Sequence, residues 1–144
     1  MRLATLLLTT LLACAHKPAG APIELHRETV KEDRAELALE LAYAPKAARQ
    51  LELTLKMRVS GLAETNKLVA EVFIQGFNVE GGSTRWDGFV PPRQPQTFRV
   101  LLSIPDDRDE ATATLSLVRS HDSHSLLRQV LNFRVGDDGV VTLQ

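Results

Sequence analysis

Apolar and polar residues alternate one by one through most of this chain, and that rhythm limits what the chain can build. Leu51, Leu53, Leu55, Met57 and Val59 alternate with Glu52, Thr54, Lys56 and Arg58. Phe98, Val100, Leu102 and Ile104 alternate with Arg99, Leu101 and Ser103. Ala113, Leu115 and Leu117 alternate with Thr112, Thr114 and Ser116. Leu127, Leu131, Phe133 and Val135 alternate with Arg128, Asn132 and Arg134, and Gln129 is the one polar residue on the apolar side. Successive side chains of a strand point to opposite faces, so each run predicts a strand with one buried face. Leu68 to Val79 is apolar at both parities, which predicts a central strand covered on both faces.

Turn residues separate the runs: Gly61, Glu80-Gly81-Gly82, Pro105-Asp106-Asp107 and Gly136-Asp137-Asp138-Gly139. One segment is disputed. KEDRAELALELA, Lys31 to Ala42, consists of strong helix formers. Yet Leu37, Leu39, Leu41 and Tyr43 alternate with Ala38, Glu40 and Ala42, and a helix would turn Leu39 away from Leu37 and Leu41. Pattern outweighs propensity here, so the segment is read as strand. Runs near 24–30, 35–43, 50–60, 68–79, 84–90, 97–104, 111–119, 126–135 and 140–143 give seven to eight strands once the short ones merge. The expected fold is all-β, an antiparallel β-sandwich. In strand number, strand length and turn placement it resembles immunoglobulin-like and fibronectin-III-like sandwiches. A Cys–Trp–Cys set is missing, which excludes an antibody-type domain.

The N-terminus follows a different logic. Arg2 precedes an apolar run, Leu3 to Ala13, broken only by threonines. A basic start and an apolar stretch of about 7–15 residues ending on a small residue describe a secretory signal. A spanning helix needs about 20 apolar residues, and Lys17, Pro18 and Gly20 follow too soon. The only cysteine of the chain, Cys14, closes the run as Leu11-Leu12-Ala13-Cys14. This tetrapeptide resembles the lipobox of bacterial lipoproteins, with Leu12 a less usual occupant of its second position. The resemblance covers only the first fourteen residues. It implies diacylglycerol on the Cys14 thiol, cleavage before it, and Cys14 as the first mature residue. An unmodified cysteine in an ordinary signal is the alternative. Ala15 stands where an Asp would retain many such lipoproteins in the inner membrane, which favours the outer membrane. The expected organisation is a signal peptide over 1–13, a lipidated cysteine and flexible tether over 14–22, and a sandwich over 23–144. Two or three acyl chains hold a protein far more firmly than one.

Charge points away from nucleic acid. Without Arg2, 17 − 1 = 16 basic residues face 18 acidic ones, a net of −2. HDSH, His121 to His124, has a spacing that would suit zinc or copper if both rings turned inward, but its serine-rich surroundings fit a solvated loop. His16 lies on the tether, and His26 on an expected edge strand, exposed. PDDRDE, Pro105 to Glu110, lacks the glycine of a calcium loop and reads as a solvated turn. No Gly-rich phosphate loop, nucleophile elbow or HExxH occurs, so no enzyme and no cofactor are expected.

STRWDGFVPPRQP, Ser83 to Pro95, concentrates the only tryptophan, a phenylalanine and three prolines. Arg85, Trp86, Phe89 and Arg93 are the candidate partner-binding residues, since Trp and Arg are favoured anchors and prolines lower ordering cost. The competing reading has Trp86 plugging the core from an edge strand, with Asp87-Gly88 as a bulge. Outward strand positions elsewhere are expected to offer mostly Thr, Lys, Arg and Glu. Together these readings describe a lipoprotein of the bacterial cell envelope. Its membrane contact is the lipid on Cys14, and its small non-catalytic sandwich serves protein interaction or envelope-complex assembly. The alternative is a metal- or small-ligand-binding lipoprotein using His121 and His124.

Overall fold

The structure is a computed structural model that describes residues 20–144. Cys14, the signal segment and most of the tether, His16 included, lie outside the described residues. Ten strands follow: β1 (Ile23–Glu32), β2 (Ala35–Pro45), β3 (Gln50–Ser60), β4 (Leu68–Gln75), β5 (Asn78–Gly82), β6 (Arg85–Gly88), β7 (Gln96–Ser103), β8 (Glu110–Arg119), β9 (Ser125–Val135) and β10 (Val141–Leu143). They form two antiparallel five-stranded sheets. Sheet I has the order β1-β2-β3-β7-β5 and sheet II the order β10-β9-β8-β4-β6.

The alternating runs are the strands, and their apolar parity is the core. Leu37, Leu41, Leu51, Leu55, Met57, Val100 and Leu102 are fully buried from sheet I, as are Leu68, Ala70, Ala113, Leu115, Leu117 and Phe133 from sheet II. Phe133 joins the layers: Tyr43 meets it edge-on at 5.2 Å between ring centroids and Phe77 at 5.9 Å. The disputed segment is strand on both sides of a hairpin. β1 ends at Glu32, Asp33-Arg34 turn the chain, and β2 starts at Ala35. Leu37, Leu39, Leu41 and Tyr43 all face inward from β2.

Ten strands rather than seven or eight arise chiefly because the 68–79 run is not one strand. Gly76 takes φ +83, and a Cβ there would stand 3.1 Å from the Glu110 carbonyl oxygen. At this point the chain leaves sheet II, drives Phe77 into the core and enters sheet I as β5. It returns at once through Ser83-Thr84, where Val72 N donates to Thr84 O at 2.9 Å. β4 is flanked by strands on both sides, as a central strand is, but its outer face is bare: Phe73 is 58% exposed.

The strand directions sort the loops into two ends. Asp33-Arg34, residues 61–67, 89–95 and 120–124 share one end. Residues 46–49, 76–77, 104–109 and 136–140 share the other, where β1 also begins at Ile23. A ten-residue strand spans about 34 Å, which separates the two ends.

Candidate functional site

The 83–95 segment begins on an edge strand. β6 pairs with β4 alone, in the register Leu68↔Gly88, Ala70↔Trp86 and Glu71↔Arg85. This register is unbroken, so Asp87-Gly88 form no bulge, contrary to the sequence expectation. Trp86 shares its parity with Ala70 and is turned inward, partly buried against the core. Its ring lies over Gly88, where a Cβ would come within 3.1 Å of Cζ2. Arg85 points the other way and donates to Glu71 Oε1 at 2.8 Å.

Beyond β6 the chain is fastened and then released. Val90 is fully buried, and its N donates to Thr65 Oγ1 at 3.0 Å while Thr65 N donates to Val90 O at 3.3 Å. Phe89, just before this clasp, is 49% exposed. Just after it, Gln94 N donates to Pro91 O, closing a turn with Pro92 and Arg93 at its centre. Arg93 has φ +63, the position where such a turn favours glycine or asparagine. Holding an arginine there costs on the order of 1 kcal/mol. Arg93→Gly is therefore expected to raise the unfolding free energy by about 0.5 kcal/mol in a urea titration, after the extra unfolded-state entropy of glycine is subtracted. A loss of stability would mean that the side chain itself holds the turn.

HDSH lies at the same end of the sandwich, in the β8–β9 hairpin. His121 and His124 are both exposed. The carboxylate between them is already engaged. Arg119 donates Nε to Asp122 Oδ1 at 2.9 Å and Nη2 to Oδ2 at 2.6 Å, and His124 N donates to Oδ1 at 3.1 Å. These bonds, Arg119 foremost, hold the Asp122 carboxyl well below the usual carboxylate range. Among the described residues, no group of three or more His, Cys, Asp or Glu side chains converges as metal ligands would. No hydrogen bond or ion pair joins the 85–93 residues to His121 or His124 among the described residues.

Arg119 also belongs to a network that the sequence did not reveal. Its Nη1 stands 3.5 Å from Oε1 of Glu32, whose side chain has no solvent exposure, and 3.6 Å from Oδ1 of Asp33. Asn66 completes the cage, donating its backbone N to Glu32 Oε2 at 2.9 Å and its Nδ2 to Oε1 at 2.7 Å. Three loops are thereby tied around one buried carboxylate. In the sequence Glu32 is one charge among several in KEDR, and nothing local marks it as interior. His26 also departs from expectation: β1 is an edge strand, but a bulge between Glu24 and His26 turns the imidazole half inward, and its Nε2 is buried 3.4 Å from Glu28 Oε1. A bulge and inward charges are common protection for an edge.

The two outer faces differ in kind. Sheet I presents Arg27, Lys31, Glu36, Glu40, Lys56, Arg58 and Arg99 outward, as expected. Sheet II does not. Phe73 on β4, Thr114 on β8 and Val130 on β9 form one cross-strand row, with Phe73 58% and Val130 55% exposed. The expectation of mostly Thr, Lys, Arg and Glu outward misses Phe73, because the apolar parity of residues 69–73 was assigned to a second buried face, and misses Val130, which stands on the outward parity of β9 between Arg128 and Asn132. The chain matches no protein-family model, and no curated protein is significantly similar to it.

Proposed function

We propose that this protein is a lipoprotein of the bacterial cell envelope, anchored through Cys14, whose non-catalytic β-sandwich holds a protein partner. The observation that supports it most is polarity of the fold. The chain enters at Ile23, nine residues after Cys14, at one end of the sandwich, while Phe89, Arg93 and the 120–124 hairpin stand at the opposite end. A lipid on Cys14 thus leaves the 89–95 loop facing away from the bilayer, one sandwich length out. Exposed binding residues on loops held by a rigid scaffold are the usual arrangement of a binding module. Phe89 offers apolar area and Arg93 a forked donor set on a turn fixed by two prolines, which reduces the entropy lost on docking.

The test begins with the anchor. Cys14→Ser is expected to abolish incorporation of labelled fatty acid and to release the protein from floated membranes, with its β-rich circular dichroism unchanged. Fatty-acid labelling that persists in the Ser variant would rule the anchor out. Capture from detergent-solubilised membranes then tests the far end: Phe89→Ala with Arg93→Ala should lose the captured partner without loss of fold.

A further inference from the structure

We infer that the outer face of sheet II docks on the same face of a second copy of this chain, about a two-fold axis lying along β8. The argument is the arrangement of two adjacent cross-strand rows. One row reads Glu71–Ser116–Arg128 and the next reads Phe73–Thr114–Val130, each in the order β4, β8, β9. An axis along β8 exchanges the two ends of every row. Glu71 of one copy then faces Arg128 of the other, twice by symmetry, and Phe73 faces Val130, twice. Over the axis in these two rows lie Thr114 and Ser116, uncharged and small enough for close approach; Thr112 and Val118 continue the line on either side, and Glu110, at its end, is held by Arg134 of its own copy. An axis across the strands would set Phe73 on Phe73 and leave both charges unmatched.

Charge supply agrees with this arrangement. Among the described residues the ion pairs on this face are Glu71–Arg85 at 2.8 Å, Arg85–Asp87 at 3.9 Å and Glu110–Arg134 at 2.8 Å; Arg128 takes part in none of them and is exposed. Arg85 reaches only Oε1 of Glu71, which leaves Oε2 for the second copy. An interface whose patch is its own complement is the requirement for a closed dimer. Four strands about 4.8 Å apart and about 27 Å long offer a face of about 500 Å², below the ~800 Å² per partner of a standard interface. The pairing is therefore weak in dilute solution and depends on confinement, which a shared membrane supplies. An axis along the strands also keeps both Ile23 ends on one side, as two anchored copies need. That last point rests on the proposed anchoring; the match between rows does not.

The test is crosslinking of the full-length protein in its native membranes. Packed sheets lie about 10 Å apart, so Thr114→Cys is treated with a short thiol-to-thiol crosslinker. Lys56→Cys, on the outer face of sheet I, is the control. The expected result is a band of twice the chain mass from Thr114→Cys and none from Lys56→Cys. Within the Thr114→Cys background, Arg128→Glu or Glu71→Arg should each lower the dimer about tenfold, and co-expression of the two should restore it, because only the mixed pair opposes unlike charges at both contacts. Equal yields from Thr114→Cys and Lys56→Cys overturn the proposal, as does an adduct with a different protein or a dimer indifferent to both charge reversals. Crosslinking of the chain with no added cysteine would reveal a free Cys14 thiol, which counts against the anchor and not against the face.

Discussion

Arg119→Ala is expected to lower the unfolding free energy by about 3 kcal/mol. Among the described residues the guanidinium is the only cation within reach of Glu32, whose carboxylate has no solvent exposure. Removing one partner of a buried pair strands the other, at a typical cost of 3–5 kcal/mol. The lower end applies because Asn66 keeps its two bonds to that carboxylate. Glu32→Gln should cost less, since no unpaired charge remains inside. Urea unfolding of the two single variants and the double variant measures this, and the double should be far short of additive. A loss below about 1 kcal/mol for Arg119→Ala would mean that water or Asn66 satisfies the carboxylate alone. The same guanidinium sets an acid limb. Asp122 has its carboxyl depressed below 3.8 by Arg119 and by the His124 amide. Its contribution is therefore complete above the unfolded-state value and is lost progressively as pH falls through and below it. Asp107 and Glu110, depressed by Arg108 and Arg134, act in the same direction. Asp122→Asn should flatten the fall in stability below about pH 4.

What the sequence carried and what it withheld divide along a physical line. Period-two patterning is imposed by the core, so each strand with one buried face announced itself, including Leu37 to Tyr43 against its helical composition. The split at Gly76 did not, because apolar residues at both parities describe a doubly covered strand and a strand changing sheets equally well. The outward Phe73 was hidden for the same reason. Of the 83–95 segment, the edge position of Trp86 and the exposure of Phe89 and Arg93 follow from a short aromatic strand and a proline turn, whereas the clasp of Val90 by Thr65 joins residues 25 apart. Long-range polar contacts leave no periodic trace. Glu32, Asn66 and Arg119 are ordinary surface types in the sequence, and only the meeting of three loops makes them a unit.

Such units stand at both ends of the sandwich, and both centre on an arginine. At the far end Arg119 neutralises a buried acid. At the end where β1 begins, Arg49 gathers the loop that the sequence presented as an acidic turn. Asp106 and Asp109 lie 3.3 and 3.5 Å from its guanidinium, so PDDRDE is organised around an internal cation. The two ends are free to serve different purposes, one near the proposed anchor and one away from it.

Arg49→Ala is the second large effect, an expected loss of about 2–3 kcal/mol. The guanidinium donates Nε to Ile104 O at 2.9 Å and Nη2 to Pro105 O at 2.7 Å, and it reaches Arg108 O as well. Its side chain is only 23% exposed, so water replaces these bonds poorly. Hydrogen bonds from a charged donor contribute about 1.5–3 kcal/mol each, though such neighbours do not add. The backbone is engaged too: Arg49 N donates to Gly139 O and Ile104 N to Arg49 O, both at 2.8 Å, which ties three loops together. Arg49 has φ +64, a conformation that costs alanine as much as arginine and glycine nothing. The order of stability should therefore be Arg, then Gly, then Ala, with Gly above Ala by up to about 1 kcal/mol. Arg49→Lys should recover little, because a single ammonium cannot span three carbonyls. Hydrogen exchange gives a local reading of the same event. The amides of Ile104, Arg108 and Gly139 should lose protection in Arg49→Ala before the strand cores do. Capture at the far end should be unchanged, since no bond of Arg49 reaches it. If Ala and Gly are equally stable and within about 0.5 kcal/mol of the native chain, residues 104–109 hold their shape without Arg49, and the acidic loop is an independent turn after all.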